Sequence, residues 1–281
     1  MSITATIDWI TITFKEYDEN AKQFLCSHAH AGKNVSTSPR HGYTAAYRDE
    51  NGVLVMWNNY RPDMGVHIIF GGSSLRGIYE KGSVEPRDIL VSAKELGGRV
   101  TRLDLAKDAR LEVVNMEKIW NSLEAGAYKG TARKIAQMRG LNAGHTIYIG
   151  SRTSERFIRL YDKAAEQAIT GGDWKRLEIE LKGQAARAVA SRIVSGTSLS
   201  TCFDMVAQDM IEFIDEREWE KFFPDGDVPF DLPKREKVTD RERWILEQVI
   251  PAIRNHVMEV RDSEACWALL RLLMLWSDSQ P

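Results

Sequence analysis

The stretch that decides the fold reads GHTIYIGSRTSERFIRLYDK over residues 144–163 and continues, after a short link, as WKRLEIELK over residues 174–182. Apolar and charged side chains alternate in both parts, and a period of two is typical of half-buried β-strands. The first part therefore predicts a β-hairpin and the second part a third strand. The polar face of the predicted sheet carries Phe157, Arg159, Tyr161 and Lys163 from the hairpin, and Arg176, Glu178, Glu180 and Lys182 from the third strand.

An earlier segment, TRLDLAKD at residues 101–108, alternates in the same way. Arg102, Asp104 and Asp108 share one side of this predicted strand, and leucines occupy the other side. If the strands join one sheet, a tyrosine, several carboxylates and several cations meet on the face that points away from the core. Any half-solvated antiparallel sheet shows such alternation, and cross-strand ion pairs suit it, so a purely structural face is the alternative.

The remaining segments predict an α+β fold with mainly antiparallel sheets, flanking helices and a C-terminal helical tail. Strands are predicted at residues 6–14, 43–48, 52–57 and 65–70, and helices at residues 17–30, 75–81, 86–97, 116–125 and 183–193. Residues 198–223 predict a long acidic helical region, and residues 129–139 a basic connecting link. A proline-rich break at residues 224–233 separates a predicted domain at residues 1–225 from a helical region at residues 234–281.

The composition indicates a soluble protein of the cytoplasm. A chain of 281 residues can bury a sizeable core. No apolar run reaches the ~18 residues that a membrane span needs, and the N-terminus lacks a signal-peptide pattern. The three cysteines, Cys26, Cys202 and Cys266, are far apart and lack the spacing of a metal site, which favours reduced thiols.

Charge is unevenly distributed along the chain. The whole sequence has 38 Lys and Arg residues and 40 Asp and Glu residues, a formal net charge of −2. Residues 99–192, which hold most of the predicted sheet, have 18 basic and 11 acidic residues, so the flanking segments are acidic. Because neutralisation of phosphates supplies much of a protein's affinity for nucleic acid, this basic segment favours contact with DNA.

The strings TRLDLAKD, TIYIGSRTSERFIRLYDK and RLEIELK, in this order, resemble the signature strands of the Rep-trans family. Its members are the replication initiation factors of rolling-circle plasmids and filamentous phages, together with related relaxases of conjugative elements. IDWITITF at residues 7–14 and GVHIIFGGSSLR at residues 65–76 resemble the N-terminal half of that family. The resemblance implies a sequence-specific nicking and strand-joining enzyme in the cytoplasm of a bacterial host cell.

The resemblance also implies a tyrosine that attacks a backbone phosphate, stays bound to the 5′ side and leaves a 3′-hydroxyl. It places that tyrosine in the string RFIRLYDK, where Tyr161 matches, and Tyr148 in the partner strand is the competitor. A phenol has an ordinary pKa of about 10, so nearby positive charge raises the fraction of phenolate. Arg159 and Lys163, on the same face as Tyr161, are expected to supply that charge and to be catalytic with it.

Carboxylates on the neighbouring strands are the candidate metal ligands. Asp104 and Glu178 each occupy the third position of an Arg-Leu-acid string, and Glu180 and Asp108 are further candidates on the same face. Hard oxygen ligands of this kind suit Mg²⁺ or Mn²⁺. An ion of this class would offset the charge that builds on a phosphate during cleavage.

The candidate DNA-binding residues are Arg76, Arg102, Arg133, Lys134, Arg139, Arg152, Arg156 and Arg176. As partners the resemblance implies DNA in the form of an origin hairpin, single strands or supercoils, a host helicase and a second copy of the chain, with no membrane. Besides a replication initiator, three functions stay open at this stage. They are a conjugative relaxase with the same chemistry, a catalytically silent DNA-binding regulator, and a structural or protein-interaction role without DNA binding.

Overall fold

The structure is a computed structural model, and it describes residues 3, 5–29, 34–80, 85–110, 114–140, 144–169, 173–214, 216–223, 245 and 249. The predicted linker at residues 224–233 and nearly all of the predicted helical region at residues 234–281 lie outside the described residues. The division into two domains at that point therefore stays a prediction.

The described segments form twelve strands, eight α-helices and one 3₁₀ turn, Pro62–Met64. The strands are β1 (Ala5–Phe14), β2 (Val35–Ser36), β3 (Ala45–Arg48), β4 (Leu54–Trp57), β5 (Val66–Phe70), β6 (Arg99–Ala109), β7 (Tyr128–Lys129), β8 (Ile135–Gly140), β9 (Gly144–Gly150), β10 (Arg156–Asp162), β11 (Lys175–Lys182) and β12 (Glu212–Phe213). The helices are α1 (Glu19–His28), α2 (Gly72–Glu80), α3 (Pro86–Glu95), α4 (Met116–Glu124), α5 (Lys163–Glu166), α6 (Gly183–Val194), α7 (Leu199–Met210) and α8 (Arg217–Glu220).

Ten strands form one sheet in the order β2-β3-β4-β5-β1-β6-β11-β10-β9-β8, and β7 and β12 form a small second sheet. Every neighbouring pair in the described sheets is antiparallel. This arrangement confirms the predicted α+β class with mainly antiparallel sheets and flanking helices. Apart from the long helix predicted at residues 198–223, each strand and helix that the sequence predicted within the described segments has a counterpart here.

The main core lies between the apolar face of this sheet and the helices that pack on it. The leucines and isoleucines that alternate with charged residues in β6, β10 and β11 are all buried. α6 packs on β6 and β11, and α7 packs on β1, β6 and β11. α6 can do so because Ala185, Ala186, Val189, Ala190 and Ile193 form one buried stripe at helical spacing, and small alanines permit close approach.

The predicted long acidic helix at residues 198–223 is wrong, because the structure divides this segment into three elements. α7 ends when Ile211 adopts an extended backbone conformation, with φ −156 and ψ 130. The next residues form β12, which pairs with β7, and only then does the short α8 begin. Strand pairing with a distant segment thus overrides the helical pattern of the local sequence.

The predicted connecting link at residues 129–139 also contains a strand. β8 pairs with β9 along the outer edge of the large sheet, with Ala136 opposite Tyr148 and Met138 opposite Thr146. The segment is largely exposed and carries several polar residues, so it lacks the clean apolar alternation that identifies a strand in a sequence.

None of the helices in the described part of the chain is long and apolar enough to cross a membrane.

A buried ion pair lies inside the main core. Lys107 of β6 is fully buried, and its Nζ atom donates hydrogen bonds to Asp204 Oδ1 at 2.5 Å and to the carbonyl oxygen of Phe222 at 3.0 Å. The rings of Phe203 and Phe223 lie 5.2 and 5.3 Å from the same ammonium group. Lys107 therefore ties the central strand to α7 and to the segment that follows α8.

We expect Asp204→Leu to leave the buried ammonium of Lys107 without its carboxylate and to lower the free energy of unfolding by roughly 3–5 kcal/mol. The double variant Lys107→Met, Asp204→Leu removes both charges and should recover most of that loss. Urea unfolding of both proteins provides the measurement. A double variant no more stable than the single one would contradict the role assigned to this ion pair.

Candidate active site

The pairing of β6, β11 and β10 brings the charged residues of three strands onto one face of the sheet. Asp104 lies directly opposite Glu180, and Glu178 lies directly opposite Arg159. Directly opposed residues of an antiparallel pair share a face, and Tyr161 follows Arg159 by two residues, so it shares this face as well. We call this surface the site face. The predicted grouping of these side chains agrees with the register of the strands.

Two arginines and Lys182 are paired with three carboxylates on the site face. Asp104 is 1% exposed and accepts hydrogen bonds from Arg102 Nε at 2.8 Å and Arg102 Nη2 at 2.5 Å. Arg102 Nη2 also lies 2.9 Å from Glu180 Oε2. Arg159 Nη2 forms an ion pair with Glu178 Oε1 and lies 3.9 Å from Asp104 Oδ2. The three carboxylates therefore form one cluster with shared counter-ions.

Burial and mutual repulsion change the protonation of this cluster. Burial raises the pKa of Asp104 to about 7, although Arg102 opposes the shift, and the charges of Glu178 and Glu180 add to it. Burial would also raise the pKa of Glu180, but the hydrogen bond from Lys182 and the charge of Arg102 lower it overall. A further positive charge close to Asp104 would therefore favour its ionised form.

Tyr161 is bonded to this cluster through its hydroxyl group, which donates to Glu178 Oε2 at 3.1 Å. Burial raises the pKa of Tyr161, and the negative charge of Glu178 raises it further. Arg159 pairs with Glu178, and Lys163 pairs with Glu166 while its Nζ atom lies 5.5 Å from the centre of the Tyr161 ring. In this arrangement both cations are paired with carboxylates, and the pKa of Tyr161 is raised rather than lowered, so the expectation that Arg159 and Lys163 favour phenolate stays a prediction.

Tyr148 lies on the same face as Tyr161, because it is directly opposite Arg159 in the pairing of β9 with β10. The side of the strand therefore does not distinguish the two tyrosines. Their contacts do distinguish them. The ring of Tyr148 stacks on Phe157, with 5.7 Å between the ring centres and 13° between the planes, whereas Tyr161 binds a carboxylate.

A cleft of about 390 Å³ opens on the site face, and we call it the Tyr161 cleft. Its lining includes both tyrosines and the carboxylates Asp104 and Glu178. It also includes Asp8 and Trp9 of β1, which the sequence did not suggest as site residues. The guanidinium of Arg102 lies 4.7 Å from the centre of the Trp9 ring.

A β-bulge explains why Trp9 was missed. Simple alternation places Ile7 and Trp9 on one side of β1, but the register shifts between these two residues. Ile7 therefore lies opposite Leu105, on the core side, and Trp9 lies opposite Asp104, on the site face. A bulge adds one residue to a strand without a clear sequence signal, so only the strand pairing shows it.

The carboxylates of the site face match a hard divalent cation in their chemistry. Asp104, Glu178 and Glu180 offer oxygen donors within one cluster, which is the ligand type that Mg²⁺ and Mn²⁺ prefer. Within the described ranges, however, no three His, Cys, Asp or Glu side chains form a ready-made ligand set. Arg102 and Arg159 now hold these oxygens, so binding of an ion requires that a guanidinium release at least one carboxylate.

Five of the predicted DNA-binding residues are exposed on the surface, namely Arg139 of β8 and the four described next. Arg76 lies on α2, Arg133 and Lys134 precede β8, and Arg152 lies in the turn between β9 and β10. Arg156 is half-buried and forms an ion pair with Asp209.

Three of the predicted DNA contacts, Arg102, Arg176 and Arg139, likewise have carboxylate partners. Arg102 belongs to the carboxylate cluster described above. Arg176 is 6% exposed and forms ion pairs with Asp8 at 2.5 Å and with Asp108 at 2.7 Å. Asp108, the reserve metal ligand, is thus a partner of Arg176. Arg139 lies on the opposite face of the sheet, where it pairs with Glu117 of α4 at 2.7 Å. Each of the three is paired with a carboxylate, but Arg139 is exposed, so its contact with DNA stays a prediction.

The sequence profile of replication initiation factors matches residues 98–263, more than half of the chain. The protein therefore belongs to the replication initiation factor family, as the order of its strands suggested. It is 23% identical over 287 residues to the putative DNA relaxase NicK of Bacillus subtilis strain 168, covering 90% of this chain and 80% of that protein. Its fold is similar to the structure of a rolling circle replication initiator protein from Geobacillus stearothermophilus. The TM-score is 0.65 at 20% identity, covering 78% of this chain and 91% of the other.

Because Arg176 is a buried partner of two carboxylates, we expect Arg176→Met to lower the free energy of unfolding by roughly 2 kcal/mol or more. The matched control, Arg76→Met on the exposed surface of α2, should change it by about 0.5 kcal/mol or less. Urea unfolding measures both changes. Equal stability of the two variants would contradict the structural role of Arg176.

Proposed function

We propose that this protein nicks and rejoins one strand of DNA at a replication origin, with Tyr161 as the nucleophile. The observation that carries the proposal is the hydrogen bond from the Tyr161 hydroxyl group to Glu178, within the buried carboxylate cluster at the Tyr161 cleft. Membership of the replication initiation factor family supports it. The names of the two similar proteins, a DNA relaxase and a rolling circle replication initiator, agree with strand cleavage.

The reaction is a transesterification in which one phosphate ester replaces another. The phenol oxygen of Tyr161 attacks the phosphorus of a backbone phosphodiester, and its proton passes to Glu178. The bond from phosphorus to the 3′-oxygen breaks, and that oxygen becomes a 3′-hydroxyl by taking up, through a water molecule, the proton that Glu178 received, so Glu178 returns to its ionised form. The 5′-phosphate stays on Tyr161, so the reverse attack by a 3′-hydroxyl restores the strand without an external energy source.

Arg159 has a further donor for the phosphate. Its Nε atom is buried and has no hydrogen-bond partner in the described part of the chain. A buried donor without a partner costs free energy, and an entering phosphate oxygen would satisfy it. Arg159 lines the Tyr161 cleft, so it is suited to hold the phosphate while its Nη2 atom keeps Glu178 in place.

A divalent cation, Mg²⁺ or Mn²⁺, belongs to this proposal. Asp104 and Glu178 are the residues that would hold it, with Glu180 next to them. When bound, such an ion offsets the negative charge that builds on the phosphate oxygens and favours the ionised form of Asp104. The release of Glu178 or Asp104 from its arginine would free that guanidinium to contact the DNA.

A conjugative relaxase is the second candidate, because the relaxase of Bacillus subtilis matches 90% of this chain. The residues that cut the strand would be the same in both cases, and the DNA and the partner proteins would differ. The host helicase and the homodimer implied by the family resemblance belong to the initiator proposal. A catalytically silent regulator would bind DNA without any need for Tyr161 or for a divalent cation.

We expect Tyr161→Phe to abolish the covalent adduct between protein and DNA, because the variant lacks the attacking oxygen. The substrate is a supercoiled plasmid carrying DNA from around the gene, with Mg²⁺ or Mn²⁺ added. The adduct is detected on a denaturing gel in detergent. The matched control is Tyr60→Phe, since Tyr60 is 85% exposed and lies away from the cleft. An adduct that persists in Tyr161→Phe would move the nucleophile to another tyrosine, with Tyr148 next.

We expect Glu178→Gln to slow nicking by roughly 100-fold or more, because an amide cannot take the proton of Tyr161. Chelation of divalent ions should stop nicking by the unaltered protein, and added Mg²⁺ or Mn²⁺ should restore it. Asp173→Asn, at a carboxylate outside the Tyr161 cleft, is the control. Nicking that continues in a chelator would contradict the need for the ion. An unchanged rate in Glu178→Gln would contradict its role as proton acceptor.

A further inference from the structure

A second cleft, of about 600 Å³, lies beside the Tyr161 cleft, and we call it the Tyr148 cleft. Tyr148 lines both of them. The other lining residues include the cations Arg133, Lys134 and Arg152 and the aromatic ring of Phe157. This cleft contains none of the residues that cut DNA in the proposed reaction, so its composition calls for a different explanation.

Its centre is a stack of flat groups. Phe157 is 3% exposed and supports the nearly parallel ring of Tyr148, which is partly exposed. The guanidinium of Arg152 lies 5.3 Å from the centre of the Tyr148 ring and 5.7 Å from that of Phe157. Arg152 is exposed in the turn between β9 and β10, so its side chain can move away from the ring more easily than a buried group can.

The cleft is also positively charged. Arg133, Lys134 and Arg152 make no salt bridge with any other described residue. No acidic side chain is found among the described residues that line it. Flat rings next to uncompensated cations match a nucleotide, since bases stack on aromatic rings or guanidinium planes while cations bind the phosphates.

The position of Tyr148 relates this cleft to the cutting site. Tyr148 is opposite Arg159, and Tyr161 is opposite Thr146, so the two tyrosines are diagonal neighbours on adjacent strands. Diagonal neighbours of this kind are about 7–8 Å apart. That separation is short enough for a base at Tyr148 and a phosphate at Tyr161 to belong to near neighbours on one strand.

We propose that the Tyr148 cleft binds an unpaired nucleotide one or two positions from the phosphate that Tyr161 attacks. Its base stacks between the Tyr148 ring and the Arg152 guanidinium, and Arg133 and Lys134 bind the adjoining phosphates. The position of this nucleotide relative to the cut rests on the proposed function, in which Tyr161 attacks the phosphate. A base inside a duplex is already stacked on its neighbours, so the cleft selects DNA that is single-stranded next to the cut.

The test uses a single-stranded 20-mer of thymidylate with one 2-aminopurine in the middle, whose fluorescence is quenched when the base stacks. All proteins in this assay carry Tyr161→Phe, so cleavage of the DNA does not affect the measured fluorescence. Loss of the ring in Tyr148→Leu should weaken binding by about five- to a hundredfold and abolish the quenching. Tyr148→Phe keeps the ring and should keep the quenching. Tyr60→Leu removes an equally large ring elsewhere on the surface and should change neither.

Arg152→Met provides a second, independent test, because this substitution does not alter the packing of Tyr148 on Phe157. It should weaken binding of the same probe and reduce its salt dependence, whereas binding of the matching duplex should change less. The proposal is overturned if the single-stranded probe does not bind. It is also overturned if Tyr148→Leu, shown by circular dichroism to be folded, binds and quenches like the parent protein. Quenching without nicking in the unaltered chain would instead reject the cutting reaction and leave the cleft as a nucleotide site.

Discussion

The antiparallel register of β6, β11 and β10 is the constraint on which both the fold and the candidate site depend. A slip of one residue would turn Asp104 and Glu178 into the core and bring leucines to the surface, because side chains alternate with a period of two. The apolar residues between these charges, such as Leu105 and Ile179, are fully buried and oppose that slip. The energy that holds the core together thus also positions Glu178 opposite Arg159, Asp104 opposite Glu180 and Tyr161 next to Glu178.

The charges on the site face are more than the ordinary polar surface of a sheet. Exposed cross-strand ion pairs contribute little to stability, whereas carboxylates as buried as Asp104 and Glu178 carry a desolvation cost that their counter-ions only offset. The buried Nε atom of Arg159 without a described partner adds to that cost. Apolar residues at these buried positions would avoid the desolvation cost, so a face selected only for stability would be expected to carry them. We therefore interpret the cost as the consequence of a site built for an anionic substrate and a cation.

The sequence correctly predicted strands in which apolar and charged residues alternate regularly. It failed where the position or the pairing of a side chain depends on a neighbouring strand. It placed Asp104, Tyr161 and Glu178 on one face, because β6, β10 and β11 alternate without interruption. It missed Trp9, because a bulge shifts β1 against β6. It could not distinguish exposed from paired arginines: Arg176 and Arg152 look alike in sequence, but only Arg176 faces two aspartates, from β1 and β6, across the sheet.

The two tyrosines lie on the same face of the sheet but differ in the groups that they contact. In the proposed reaction the oxygen of Tyr161 is the reactive part, because it faces a proton acceptor and lies near carboxylates that match a cation. The ring of Tyr148 is the part that would bind a base, because it rests on Phe157 beneath Arg152. Since β9 and β10 hold both tyrosines in one register, a base bound at Tyr148 would limit how far the backbone extends toward Tyr161. Under the two proposals, stacking and cutting would therefore be geometrically linked, and the position of the unpaired base would decide which phosphate is cut.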